Sequence, residues 1–412
     1  MATTGRRLTV LVAAFGMVGA GAWVGAGRSG AGTANVVFAP RPGPVFNDPR
    51  GRPAQQYAIM RHIERHIATS PKGSQIRVAV YSMDLDQFAN RLIAAHRRGV
   101  HVKVLMDAQS VNDTWERLAS VLGDDPNARS YAVLCTGGCL SPYQGDDETV
   151  PSLHSKYYLF SGGGKPTVTV SSANPTALQA EVVWNNSHTV VGDKGLYNAF
   201  VRNFTDMTRG ANGAYDADYH WTYGTNPKAY FWPKAWGGSD TIVTMLDQVT
   251  CSKRYPSRVR VAMFQWTSGR VAIARRLARM ASRGCRVTVI YPRDLIARSV
   301  RSTLARSRVV VHDVTYGRDS DGYARYYTHN KYLLIDGRYA GVNRRKIVLT
   351  GSANFTMTGL YYNDEVHLRI LGARVHDAYL RNFHQQIIAA RSTTAESRPP
   401  ILRIRPEDTP DG

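Results

Sequence analysis

The feature that most constrains how this chain folds is an internal repeat, because one pattern of residues occurs twice. Each copy holds a histidine, a lysine two positions later, an apolar run and then Ser-Ala-Asn. The residues are His154, Lys156, Ser172 and Asn174 in the first copy and His329, Lys331, Ser352 and Asn354 in the second. The two histidines are 175 positions apart and the two asparagines are 180 apart. This repeat predicts two similar units within one chain.

A strand–helix–strand pattern precedes each copy. Runs rich in β-branched residues predict the strands, and apolar residues at helical spacing predict the helices. The segments are 76–81, 88–98 and 100–106 in the first unit and 259–264, 271–282 and 285–291 in the second. Such a unit implies a parallel strand pair. We therefore predict an α/β fold of two pseudo-twofold-related lobes, each with a mixed, mostly parallel sheet flanked by helices, and a site at the lobe interface.

The repeated residue types suit chemistry on a phosphate. On a strand, alternation places the histidine and the lysine on the same face. An imidazole is a nucleophile or base when neutral and an acid when charged, whereas an ammonium is a positive charge suited to phosphate oxygens. The serine hydroxyl and the asparagine amide that follow can donate to the same oxyanion. Two facing copies would place two histidines, two lysines and two asparagines around one phosphorus.

With these motifs, the chain resembles the double-motif phosphodiesterases of the phospholipase D superfamily over residues 76–366. The resemblance implies a two-step reaction at phosphorus that needs no metal and no cofactor. One histidine attacks and forms a phosphohistidine, while the other protonates the leaving oxygen and then activates water. By position, His154 is the expected nucleophile and His329 the expected acid and base. The side chains expected to hold the non-bridging oxygens are those of Lys156, Lys331, Asn174 and Asn354.

An acidic residue distinguishes the two halves of the chain. The sequence Asn-Asp-Glu that ends at Glu365 resembles the Asn-x-Glu of the family, whose acid orients the histidine of the opposite lobe. We therefore expect Glu365 to support His154. The matching position in the first half is Asn185, so His329 would lack a carboxylate, and its less stabilised cation would be a better proton donor. The alternative is that the acidic pair forms a surface turn.

The first copy also departs from the family pattern. The second copy keeps the aspartate five positions after its lysine, Asp336, whereas Ser161 occupies that place in the first copy. Ser171 also replaces the usual glycine before Ser172. The family's aspartate supports the motif rather than reacting, so we assign supporting roles to Asp336, Ser172 and Ser352. A degenerate relative with low activity is the alternative.

The N-terminal segment of the chain predicts export. Residues 1–34 combine two arginines, an apolar run and small residues near a cleavage point, which is typical of a secretory signal peptide. An uncleaved membrane anchor is the alternative. We predict a first lobe over residues 35–230, a second over 231–393, and a disordered, polar and proline-rich tail over 394–412.

Four cysteines agree with export, because an even number in an exported chain predicts disulfides. Cys135 and Cys139 flank a short loop, and we pair them with each other and Cys251 with Cys285. None of the four has convincing spacing with a histidine for zinc, so we predict no metal site.

The charge of the chain bears on its partners. Lysine and arginine number 52 against 31 aspartates and glutamates, a formal charge of +21, which predicts affinity for polyanions. The alternative is that arginine usage reflects genome composition and a solvated surface. Residues 219–236 are rich in aromatic side chains, which predict either a rim that touches lipid or bases, or a linker packed across the lobes.

These patterns leave the function open among three classes, and the enzyme alternatives also include action on another phosphodiester and transfer of the phosphatidyl group to an alcohol. We favour a secreted phospholipase D that acts on phospholipid head groups and contacts the membrane surface. A secreted nuclease suits the positive charge, since a basic groove binds the nucleic-acid backbone. A non-catalytic polyanion-binding protein is the third class. Two motifs in one chain suffice for one site, so we expect a monomer.

Overall fold

The computed structural model of the protein describes residues 37–141, 150–213, 216, 218–254 and 256–393. The predicted signal peptide and the predicted C-terminal tail lie outside these residues. Within the described part of the chain, no helix combines the length and the apolar character that a membrane span requires.

The first half of the chain alternates strands and helices up to a long helix. Its elements are β1 (Gly43–Phe46), α1 (Pro53–Gln56), α2 (Ala58–Thr69), β2 (Gln75–Val80), α3 (Asp86–Arg97), β3 (His101–Asp107), α4 (Asp113–Leu122), β4 (Tyr131–Cys135), β5 (Tyr157–Phe160), β6 (Thr167–Ser171), α5 (Ala177–Glu181), β7 (Val183–Trp184), β8 (Asn186–Val191) and α6 (Lys194–Gly210).

The second half repeats this order after two strands. Its elements are β9 (Trp221–Tyr223), β10 (Lys228–Phe231), α7 (Thr241–Asp247), β11 (Val249–Thr250), β12 (Arg258–Met263), α8 (Val271–Ser282), β13 (Arg286–Tyr291), α9 (Arg298–Ala305), β14 (Val310–Asp313), β15 (Tyr316–Arg318), β16 (Ala324–Thr328), β17 (Lys331–Tyr339), β18 (Val342–Gly351), α10 (Thr358–Tyr361), β19 (Val366–Leu371) and α11 (Ala373–Thr393).

Each half builds one large mixed sheet. The first has the strand order β1-β8-β6-β5-β2-β3-β4, and the second has the order β14-β13-β12-β17-β18-β19-β10-β9, with β11 beside β17. The units β2-α3-β3-α4-β4 and β12-α8-β13-α9-β14 occupy equivalent places, and so do the pairs β5-β6 and β17-β18. The predicted two-lobe α/β repeat is therefore confirmed.

The expectation that the sheets are mostly parallel is wrong. Parallel pairing runs from β2 through β3 to β4, and from β12 through β13 to β14, where helices make the crossovers. Strands β5, β6, β8 and β1, and likewise β17, β18, β19 and β10, pair antiparallel. The reason is the short connection after each His-x-Lys strand, because a crossover to a parallel neighbour needs a dozen or more residues.

The two lobes share packed surfaces instead of meeting through a linker. Strand β7 of the first half pairs in parallel with β16 of the second. Helix α11 crosses back to the first sheet, where the ring of Tyr379 meets that of Phe46 edge-on with centres 4.9 Å apart. Because both lobes contribute to these contacts, the segments that carry the two motifs are held in a defined relation.

The aromatic segment before the second lobe is mostly packed. Tyr230, Phe231 and Trp232 are buried in or next to β10, and Trp221 stacks on Phe231 with ring centres 4.3 Å apart. Trp236 and Tyr223 are the exceptions, since they are 68% and 40% exposed. Packing of this segment therefore agrees with the linker alternative for most of its rings.

Both predicted cysteine pairings are confirmed. Cys135 is bonded to Cys139 directly after β4, and Cys251 is bonded to Cys285 beside α8.

Candidate active site

The structure gathers both His-x-Lys motifs into one buried region at the lobe interface. The histidines are 2% exposed, and the lysines at most 1%. Both lysines lie close enough to Glu365 to favour its ionised form and close enough to His329 to disfavour its cation. The members of this region are His154, Lys156, His329 and Lys331.

The motifs lie at strand starts and not within strands, which corrects the sequence interpretation. His154 and Lys156 precede β5, while His329 lies between β16 and β17 and Lys331 opens β17. Each histidine bonds to the opposite lobe: the His154 amide donates to the Asp364 carbonyl at 3.1 Å, and the His329 amide donates to the Trp184 carbonyl at 3.0 Å. These equivalent bonds replace the ladder bonds that a longer strand would make within its own sheet.

Glu365 supports His154 across the lobe interface, as expected. Nδ1 of His154 lies 2.6 Å from Oε1 of Glu365, and the hydroxyl of Ser352 donates to the other carboxylate oxygen. Glu365 is 1% exposed, and its burial raises the pKa of its carboxyl to about 7 against the opposing effect of Lys156. Since Glu365 holds Nδ1, the nitrogen of His154 that is available for attack is Nε2.

His329 has an amide where His154 has a carboxylate. Its Nδ1 lies 3.0 Å from the side-chain oxygen of Asn185, which also accepts from the hydroxyl of Ser172 at 2.7 Å. The ammonium of Lys331 lies 2.8 Å from Nε2. Burial, followed by the charges of Lys331 and Lys156, lowers the pKa of His329 well below 6.5. The predicted asymmetry between the two histidines is therefore present in the structure.

The serines of the two Ser-Ala-Asn segments support the site, as assigned from the sequence, but not as donors to an oxyanion. We expected their hydroxyls to donate to an oxyanion, but Ser172 donates to Asn185 and Ser352 donates to Glu365. Both serines are fully buried. They position Asn185 and Glu365, which support the histidines. The sequence did not predict these bonds because each of them joins two loop segments that follow different strands.

The two asparagines occupy equivalent places with different neighbours. The side-chain oxygen of Asn174 accepts from the backbone amides of Tyr81 and Ser82 at 3.2 and 3.4 Å, so its donor end is the end that can face an oxyanion. The Asn354 amide nitrogen lies 3.5 Å from Oε1 of Gln265. Both asparagines are buried beside the motifs.

An ion pair that sequence reasoning missed supports Asn354. The guanidinium of Arg270 donates to the Asn354 carbonyl at 3.1 Å and to both carboxylate oxygens of Asp240 at 2.8 and 2.7 Å. Arg270 is 4% exposed. Because Asp240 precedes α7, far from either motif in the sequence, no local pattern pointed to it.

Asp364 is a second missed residue, and its place excludes the surface-turn alternative. Its carboxylate accepts from the backbone amides of Cys139 and Leu140 at 2.5 and 3.1 Å, and it is 1% exposed. Burial raises its pKa to about 8. Since its carbonyl also receives the His154 amide, the small disulfide loop is connected to His154 through Asp364.

Asp107 holds the same segment from the other side. Placed at the end of β3, it accepts from the Leu153 amide at 2.7 Å, directly before His154. Burial raises the pKa of Asp107 to about 6. The Asp107 carboxylate and the Asp364 carbonyl therefore accept from two successive backbone amides, those of Leu153 and His154.

Asp336 and Ser161 lie away from the gathered residues. Asp336 is 3.7 Å from the guanidinium of Arg258 on the neighbouring strand β12. In the first lobe the Ser161 hydroxyl accepts from the backbone amide of Gln75 at 2.8 Å, next to the equivalent strand β2. Asp336 connects β17 to β12 in the second lobe, and Ser161 connects the end of β5 to the equivalent strand β2 in the first lobe. The serine therefore makes the interstrand contact of the first lobe that the aspartate makes in the second.

Among the described residues, no group of three or more His, Cys, Asp and Glu side chains is arranged to hold a metal ion.

We predict that Glu365→Gln lowers kcat/KM on a soluble phosphodiester by roughly 100-fold. For the unaltered protein, kcat/KM should fall as the pH drops below about 7, because protonated Glu365 can no longer accept from the imidazole. Glu365→Gln should remove this acidic limb of the pH profile. Asn185→Asp, which alters the equivalent position of the other lobe, should keep it, and a limb that persists in Glu365→Gln would refute the assignment.

We also predict that the two disulfides differ in their effect on activity. The double substitution of Cys135 and Cys139 by serine should lower kcat by about tenfold or more, because Asp364 loses its fixed partners. The same change at Cys251 and Cys285 is the matched control, and its main effect should be on thermal stability. Equal losses of kcat at matched folded fractions would argue against the connection through Asp364.

Comparison with known proteins places this geometry in a family. A family model described as "Cardiolipin synthase, PLD-like domain" matches the chain twice, at residues 65–207 and 246–387. No curated protein sequence matches the chain.

Two solved structures share the fold. Phosphatidylserine synthase from Haemophilus influenzae Rd KW20 is 14% identical with a TM-score of 0.55, over 81% of this chain and 84% of that one. Polyphosphate kinase from Porphyromonas gingivalis is 14% identical with a TM-score of 0.54, over 84% of this chain. The match spans half of the kinase, 50% of its length. With two matched domains that carry the paired His-x-Lys motifs, this chain belongs to the phospholipase D superfamily.

Proposed function

We propose that this protein hydrolyses the head-group phosphodiester of phospholipids and releases phosphatidic acid and a free alcohol. The observation that carries the proposal is the unequal support of the two buried histidines. Glu365 makes His154 the stronger nucleophile, whereas His329, beside Asn185 and Lys331, holds a proton weakly once it has one. Such a pair divides nucleophile and acid between two imidazoles.

In the first step, Nε2 of His154 attacks phosphorus and the bond to the head-group oxygen breaks. The imidazolium of His329 gives its proton to that oxygen. In the free protein His329 is neutral because its pKa is lowered. A bound phosphodiester brings a negative charge between Lys156 and Lys331, which favours the protonated form of His329.

In the second step, neutral His329 takes a proton from water, and the resulting hydroxide attacks the phosphohistidine. The bond between phosphorus and His154 breaks, and phosphatidic acid leaves. Charge on the non-bridging oxygens is balanced throughout by the two lysines and by the amide of Asn174. No metal is assigned to either step, because these groups supply the positive charge.

A cavity beside the site favours a phospholipid over a nucleic acid. It measures about 320 Å³ and shares Tyr81 and Asn174 with the site, and the Tyr81 ring centre lies 6.0 Å from that of His154. Most of the other lining residues carry hydroxyl, amide or carboxyl groups, and two, Val111 and Leu178, are apolar. The polar ones are Ser82, Asp84, Gln109, Ser110, Asn112, Thr176 and Gln179.

The charge of this cavity is opposite to that of the chain. Asp84 is the charged side chain among the described residues that line it, and neither lysine nor arginine does so. A neighbouring nucleic-acid phosphate would therefore meet a carboxylate, which is unfavourable. A neutral polyol or a cationic amino alcohol, the usual head groups of phospholipids, suits the cavity better.

Further support comes from the comparisons, since the family description and one structural neighbour name phospholipid synthases. Water as the acceptor distinguishes our proposal from synthesis. We also propose that the protein acts outside the cytoplasm, and the two disulfides support this because such bonds persist in oxidising compartments.

The positive charge favours nuclease activity as a second candidate function. A formal charge of +21 suits a nucleic-acid backbone, although the cavity beside the site does not share it. The direct test presents both substrates to the same preparation.

We predict that the protein releases choline from phosphatidylcholine vesicles in EDTA, and that His154→Ala abolishes the release. His154→Ala loses the nucleophile while its neighbours remain, so a folded variant without turnover is the expected result. The measurement is choline against time at matched enzyme concentration. Cleavage of DNA with intact phosphatidylcholine would favour the nuclease, and no turnover of either would favour the polyanion-binding alternative.

We predict that Asp84→Asn lowers the preference for choline over glycerol head groups by about three- to fivefold. The asparagine oxygen can still accept from the Ala177 amide, a bond that Asp84 makes at 2.9 Å, so the change is mainly one of charge. Asp86→Asn is the matched control, because Asp86 is exposed, pairs with Arg117 and does not line the cavity. An equal shift in both variants would contradict the assignment of the cavity to the head group.

A further inference from the structure

Two equivalent parts of the molecule differ sharply in charge. The unit β2-α3-β3-α4-β4, residues 75–135, contains seven basic and seven acidic residues, so its formal charge is zero. The unit β12-α8-β13-α9-β14, residues 258–313, contains thirteen arginines and two aspartates, a formal charge of +11. One structural unit of the second lobe therefore carries about half of the +21 of the chain.

This difference tests the alternative that the high arginine content of the chain reflects genome composition alone. Genome composition acts on both units of one chain equally, and both have the same strands, helices and crossovers. The first unit shows that the fold does not need an excess of arginine. The excess in the second unit is therefore a property of that surface.

The exposed arginines of this unit lie on helices α8 and α9 and on the segments next to them. Helices α8 and α9 pack against each other, since consecutive right-handed crossovers place both on the same face of the sheet. Arg275, Arg279 and Arg283 are four residues apart and form an exposed stripe along α8. We call the exposed arginines of this unit the arginine face; they are Arg275, Arg279, Arg283, Arg286, Arg293, Arg298, Arg306 and Arg308.

Asp313 lines one groove with Arg293 and Arg298, whereas the other arginines of the face have no carboxylate partner in the described part of the chain. Three arginines of the unit have acidic partners, namely Arg258 with Asp336, Arg270 with Asp240, and Arg276 with Asp247, and none of these belongs to the face. Like charges on adjacent helices repel one another. An external anionic surface would remove that repulsion.

We propose that the arginine face docks the protein on an anionic lipid surface. A bilayer that contains acidic phospholipids presents many phosphates in one plane, which suits guanidinium groups spread over two helices and the segments next to them. The choice of lipid over nucleic acid rests on the proposed function, because the cavity beside the site contains no basic side chain among the described residues. Docking concentrates the protein where its substrate is and needs no contact with the reacting groups.

The test measures sedimentation with vesicles in a His154→Ala background, so that lipid is not consumed. Vesicles of phosphatidylcholine are compared with vesicles that also contain phosphatidylglycerol. We expect binding that requires the anionic lipid, weakens as salt rises, and falls about tenfold or more when Arg275, Arg279 and Arg283 are changed to glutamine.

The matched control removes the same charge from the first lobe. Arg91, Arg97 and Arg129 are exposed in the equivalent unit, and their change to glutamine should reduce vesicle binding less than about threefold. Equal losses in the two triple variants would show that only net charge matters and would overturn the proposal. Binding that does not depend on phosphatidylglycerol would overturn it as well.

Further measurements separate docking from catalysis and lipid from nucleic acid. With His154 restored, the Arg275, Arg279 and Arg283 variant should still turn over a soluble phosphodiester at the normal rate. If the unaltered protein turns over no lipid and yet the vesicle result holds, the proposed function fails and docking stands. If the variant loses binding to duplex DNA and keeps binding to vesicles, the face serves nucleic acid and the lipid proposal is overturned.

Discussion

The contact between His154 and Glu365 is the interaction on which the candidate site depends, because it joins buried residues from different lobes. A carboxylate buried without a partner would be costly, and here one oxygen meets imidazole while the other receives the Ser352 hydroxyl. The contact forms only if the two lobes are in register. That register is fixed by the bond from the His154 amide to the Asp364 carbonyl and by the equivalent bond of His329.

The same symmetry explains how the two histidines come to differ. Ser172 follows β6 in the first lobe, and Ser352 follows β18 in the second. Each serine donates to the residue that supports the histidine of the opposite lobe. The supporting residue is Glu365 for His154 and Asn185 for His329. The asparagine makes the equivalent contact to Nδ1 but carries no negative charge. The architecture of the two lobes is therefore symmetric, whereas the charge beside the two histidines is not. A two-step reaction requires this difference in charge, because the two histidines have different roles.

Much of the fold followed from the sequence because its signals are local. The predicted helix at 271–282 is α8, and the strand–helix–strand units appear in both lobes within a residue or two of their predicted bounds. The support of His154 by Glu365 was also predicted, since an acid stood in one half and not in the other. The dominance of antiparallel neighbours was missed because strand periodicity does not reveal pairing direction.

Other parts of the site could not be predicted because they join distant segments through the backbone. The amides of Cys139 and Leu140 donate to Asp364, and Arg270 donates to the Asn354 carbonyl, yet no spacing in the sequence connects these residues. Backbone donors and acceptors exist at every position, so the sequence does not show which of them a buried side chain will meet. The arginine face was not predicted for a related reason. The spacing of its arginines on α8 is present in the sequence, but the packing of α8 beside α9 is not.

We predict that His154, and not His329, carries the phosphatidyl group of the covalent intermediate. Rapid acid-free quenching of the protein during turnover, followed by mass spectrometry of its peptides, measures this directly. A phosphatidyl adduct on the peptide that contains His154, and a much weaker signal from the corresponding peptide of the Glu365→Gln variant, is the expected result. The adduct on His329 in the unaltered protein would contradict the division of roles that the carboxylate and the amide impose.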